Sequence, residues 1–105
     1  MKFDDLEFEP MPEEYGRSFK VESKHIDPIQ AYVNLPNGLE VSVVQHGASH
    51  GHEKGLYEMG VFHAGGERMM EVEAWGDTVK GWLNPEDVEK ELEYLENYHK
   101  KLDRN

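Results

Sequence analysis

No cysteine occurs anywhere in the chain. That absence excludes disulfide scaffolds, Cys-ligated zinc and thiol chemistry, and it suits a reducing compartment. Long apolar runs are missing too. Nothing approaches the roughly 20 consecutive apolar residues that span a bilayer, and the opening "MKFDDLEFEPMPEEY" has neither the basic start nor the apolar stretch of a secretory signal. A soluble, intracellular protein of the cytoplasm is the expectation. Basic charge is equally scarce, with 11 Lys and Arg against 22 Asp and Glu and a formal net charge of −11. Phosphate backbones and anionic lipids are bound through clustered cations, so direct nucleic-acid and membrane partners are disfavoured and a basic protein is favoured. Catalytic groups are thin on the ground. Ser18, Ser23, Ser42 and Ser49 lie in no strand-to-helix elbow, and "GASHGHEKG" lacks the Gly-Lys-Ser/Thr ending of a phosphate-binding loop. The expectation is a protein that is not an enzyme.

What is present suits one small core: 105 residues, 37% of them apolar. Residues 1–30 read as an acidic N-terminal arm and lead-in segment, and residues 31–105 as a single α+β domain. In the arm, Asp4, Asp5, Glu7, Glu9, Glu13 and Glu14 face Lys2 alone, and Pro10 and Pro12 interrupt regular structure. An extended arm follows, with Phe3, Leu6 and Phe8 available to dock on a core. From Ala31 the pattern becomes β. "AYVNL" leads through the Pro36-Asn37-Gly38 turn into "LEVSVVQH", where Leu39, Val41 and Val43 recur with a period of two. A third strand, Leu56 to His63, and a fourth, "ERMMEVEAW" with Met70, Val72 and Ala74 on one face, complete an antiparallel β-meander of four strands.

The last element is a helix. Asn84 is its N-cap, Pro85 its first position, and Glu86 and Asp87 complement the dipole. Val88, Leu92, Leu95, His99 and Leu102 form one stripe, which predicts a helix of about 16 to 18 residues packed across the sheet. Val44, Leu56 and Phe62 then fall on the uncovered face, where a homodimer would form.

Two sets of residues are candidates for function. "QHGASHGHEKG", Gln45 to Gly55, gathers His46, His50 and His52 beside Glu53, a donor set that suits zinc or a similar ion. In a paired hairpin His46 lies opposite Leu56 and His63 opposite Leu39, roughly 23 Å apart along the strands, so His63 cannot join that site. The same glycine-rich loop is also a natural place to contact a partner. The second set is acidic and aromatic: Asp4, Asp5, Glu7 and Glu9 in the arm, with Glu71, Glu73 and Trp75, forms a surface complementary to a basic protein. Nucleic-acid mimicry, in which spaced carboxylates occupy a DNA-binding protein, is a stronger version of the same idea.

Asn37-Gly38 leading into "VSVV", then "GLYEMGV" (Gly55 to Val61), then "GDTVKGWL" (Gly76 to Leu83) running into "PEDV" (Pro85 to Val88), resembles small uncharacterised accessory proteins of tailed bacteriophages. The resemblance spans Asn37 to Val88 and brings no catalytic or binding residue with it. It implies a phage product working inside the host bacterium, where many such proteins bind and modulate host proteins.

Overall fold

A computed structural model describes residues 1–16, 27–63 and 65–98. Five strands, β1 (Glu9–Pro10), β2 (Ile29–Asn34), β3 (Glu40–Gln45), β4 (Tyr57–Phe62) and β5 (Val79–Leu83), form one antiparallel sheet in chain order, followed by the helix α1 (Pro85–Glu96). The alternation in the sequence sets the inner face. Ala31 pairs with Val43, Val43 with Met59, and Val41 with Val61, and all of these side chains are buried. The β3–β4 register runs from Glu40 opposite Phe62 to Val44 opposite Glu58.

α1 closes that inner face. Val88, Leu92 and Leu95 have no exposed surface, and the helix lies against β4 and β5. Each such side chain contributes about 1.5–3 kcal/mol by leaving water. The Asn84 carboxamide accepts the Asp87 N–H at 2.7 Å, and the Asp87 carboxylate accepts the Asn84 N–H in return. At the other end the Asn37 side chain donates to the Leu95 carbonyl at 2.8 Å. The β2–β3 turn thereby caps the helix, satisfying a carbonyl that the last turn leaves without a partner.

Three expectations are corrected. The fourth strand is not "ERMMEVEAW" but Val79–Leu83. Residues 67–77 make only isolated bridges, Phe62 to Met69 and Val72 to Asp77, although Met70 and Val72 are buried. Alternation stops there because Gly76, at φ +67, turns the chain back on Val72, leaving Ala74 exposed. The sheet has five strands rather than four because the arm supplies β1, whose Glu9 and Pro10 pair with Gln30 and Ile29. The arm is docked throughout this stretch: Leu6 is buried in the core and Phe3, Phe8 and Tyr57 stack on one another. The helix is shorter than expected, ending at Glu96 with Asn97 as its C-cap; His99 and Leu102 lie outside the described residues.

No helix among the described residues is long and apolar enough to cross a membrane.

Candidate protein-binding surface

α1 presents two unlike faces. Opposite Val88, Leu92 and Leu95, the spacings of three and four residues align Glu86, Glu89, Glu93 and Glu96 along about 15 Å of helix. With Met1, Lys2 and Lys90 they line an open groove of about 350 Å³. The Phe3 N–H donates to Glu89 at 2.6 Å, and the N-terminal ammonium reaches both Glu96 oxygens at 3.3 Å. Glu86 and Glu93 have no partner among the described residues, and Lys90 forms no ion pair with them. The last turn contains no basic residue, so Glu93 and Glu96 oppose the helix dipole. Neighbouring like charges cost about 0.2–0.5 kcal/mol per pair. Glu89 and Glu96 tie down the N-terminal arm, whereas Glu93 meets the dipole with no partner among the described residues to offset it.

Some of the acidic residues singled out in the sequence flank it. Asp4 and Asp5 belong to a 3-10 turn, Phe3–Asp5, that packs beside α1. On the opposite flank Trp75 is packed against the core and its indole N–H donates to Glu91 at 2.8 Å, while Lys80 pairs with the other Glu91 oxygen at 2.8 Å. Glu73 is near enough to act on the Tyr94 hydroxyl, whose pKa is raised by burial first and then by Tyr98, Glu73 and Glu91. Glu71 is exposed beyond it. Glu7 and Glu9 stand apart, in a shallow concavity with Pro10, Gln30 and Tyr32. The Tyr32 hydroxyl donates to Glu40 at 2.5 Å, and its pKa is pushed up to about 12 by burial and by that carboxylate. The sequence reading missed the helix stripe, although its signal, Glu at i, i+3, i+7 and i+10, is plain in "PEDVEKELEYLE".

The histidine loop is built differently. Gly51, at φ +91, lets it turn under Leu56 and against Trp82, and each imidazole spends its Nδ1 on local order. The Ala48 N–H donates to His46 Nδ1 at 3.1 Å, His50 Nδ1 meets Glu58 at 2.7 Å, and His52 Nδ1 donates to the Ser49 carbonyl at 2.6 Å. Tyr15 covers His46, with ring centroids 5.7 Å apart, and the Tyr15 carbonyl accepts the Gly47 N–H. Burial lowers the His46 pKa, His52 lowers it further, and Glu58 opposes both. Among the described residues no three His, Cys, Asp or Glu side chains converge in a metal-binding arrangement. His52 Nε2 is nevertheless buried without a hydrogen-bond partner.

The sheet face away from α1 carries a cleft of about 230 Å³ lined in part by Met11, Val44, Gly60, Phe62, Met69 and Val79. Val44 and Phe62 are on this face as expected. Leu56 packs against the histidine loop at Gly51.

No family model, no curated protein and no solved structure matches the chain.

Proposed function

We propose that this chain is a non-enzymatic binding protein that docks a basic protein on the outer face of α1. The supporting observation is the Glu86–Glu89–Glu93–Glu96 stripe, which aligns like charges on one helix face and is flanked by Asp4, Asp5 and Glu73. The chain as a whole carries the same sign, with 22 Asp and Glu against 11 Lys and Arg. A field of that sign speeds encounter with a cationic partner and selects against anionic ones. Its context, as the phage resemblance implies, is the cytoplasm of a host bacterium, with a host protein as the partner to be modulated.

The test compares the wild-type chain with Glu86→Lys/Glu93→Lys as baits in a bacterial lysate washed at low and high salt. A basic protein held stoichiometrically by the wild type, released by salt and lost by the variant is the expected result. Equal retention by the variant removes this face from the account. Displacement of the captured protein by duplex DNA would make the chain a nucleic-acid mimic.

A metal-binding module is the second reading, favoured by His52 Nε2. Nδ1–H donation to a carbonyl leaves that nitrogen with its lone pair, the usual arrangement of a metal-bound imidazole. His46 and His50 would have to turn toward it. Calorimetry with zinc decides: no heat of binding near neutral pH dismisses this reading.

A further inference from the structure

Trp82 is the residue that the fold leaves unaccounted for. Its φ is +62, the one positive value at a non-glycine position among the described residues, in a region that favours glycine. It packs little, remaining 52% exposed. The stretch is a β-bulge: Tyr57 pairs with Leu83 and Met59 with Lys80, so Gly81 and Trp82 together face Glu58. Gly81 is required there, because a Cβ would lie 2.3 Å from the His50 Cβ. The Trp82 N–H donates to the His50 carbonyl at 3.2 Å, and the histidine loop thus pins the bulge from outside. Backbone geometry at position 82 asks for glycine, and the core does not ask for an indole.

The environment of the ring supplies a chemistry. Lys54 Nζ stands over it, 5.9 Å from the centroid, so the ring already presents a π face to a cation. A partner's guanidinium stacks there better than an ammonium, being planar and less strongly hydrated. Resting on the basic-partner reading above, we infer that Trp82 is an aromatic anchor for an arginine side chain of the partner, and that Lys54 occupies the ring face until that arginine displaces it. Glu86, the first residue of the acidic stripe, follows four residues later in the chain, in the first turn of α1. The left-handed backbone holds the indole outward in its binding position before the partner arrives.

The test uses the full chain with two labelled peptides of equal length, oligo-arginine and oligo-lysine, followed by fluorescence anisotropy at low salt. Acidic charge attracts both, so the informative quantity is the preference between them. The wild type should favour arginine. Trp82→Gly should lower arginine-peptide affinity about tenfold, abolish the preference, and leave the melting temperature unchanged or raised because glycine relieves the backbone. Trp82→Asn, which also tolerates positive φ, should behave alike. Lys54→Gln should strengthen arginine-peptide binding. Glu86→Lys/Glu93→Lys should weaken both peptides together.

An unchanged preference in the Trp82 variants, with binding lost in the glutamate variant, overturns the anchor and leaves the acidic surface standing. Failure of the wild type to bind either peptide overturns both. Weaker binding by Lys54→Gln overturns its role as a stand-in. Self-association that Trp82→Gly abolishes would assign the indole to a contact between copies and overturn the proposal.

Discussion

The two faces of α1 have opposite relations to stability. The inner face places Val88, Leu92 and Leu95 wholly out of water. The outer face aligns Glu86, Glu89, Glu93 and Glu96 and sets two of them against the helix dipole. One face is what the fold requires, and the other is a charge pattern the fold tolerates. Residues that hold a small domain together and residues that meet its partner are therefore separable on one element, and substitution should show it.

The largest effect belongs to the inner face. Leu92→Ala should cost about 2–5 kcal/mol in a denaturant titration, since a fully buried side chain leaves a cavity. Loss of that size threatens a domain of this length, whose whole stability is about 5–15 kcal/mol. Next comes the boundary between the faces: Asn84→Ala removes the acceptor for the Asp87 N–H and should cost about 1 kcal/mol by the same measurement. On the outer face the sign reverses. Glu93→Gln should raise stability by a few tenths of a kcal/mol by relieving like-charge neighbours and an unfavourable dipole contact, while weakening any cationic ligand. A loss of stability there would erase the contrast.

The smallest effect comes from the histidine loop and depends on pH. His46 has a lowered pKa in the folded protein, so the unfolded chain binds the proton more readily. The neutral imidazole contributes stability above about pH 6.5, and that contribution is lost as pH falls below it through the folded value. His46→Gln should flatten this part of the stability profile. An unaltered slope would show that burial under Tyr15 does not govern His46.

How much of this was legible in the sequence depends on how local the determining interactions are. The Asn84-Pro85-Glu86-Asp87 start of α1, its apolar stripe and the β2–β3–β4 register were readable because each follows from spacing within a few residues. Met70 and Val72 misled, since two buried alternating residues imitate a strand whose next step, at Gly76, turns away. Val79–Leu83 was hidden because its alternation is broken by the bulge at Gly81 and Trp82. β1 was hidden because two residues give no period, and only Leu6 and the Phe3–Phe8–Tyr57 cluster bring the arm to the sheet. The three histidines were read for their donor atoms; their Nδ1 atoms prove to be hydrogen-bonded within the loop and to Glu58, which no spacing rule shows.

The account's central claim, that the outer face of α1 receives a cationic partner, is tested most directly by nuclear magnetic resonance. The 15N-labelled chain would be titrated with the oligo-arginine peptide at low salt and the shifted amides mapped. Changes concentrated from Trp82 through Glu96, with Asp4, Asp5 and Glu73 beside them, are the predicted result. Changes centred on Val44, Phe62 and Val79, with α1 unmoved, would contradict it and place recognition on the open face of the sheet.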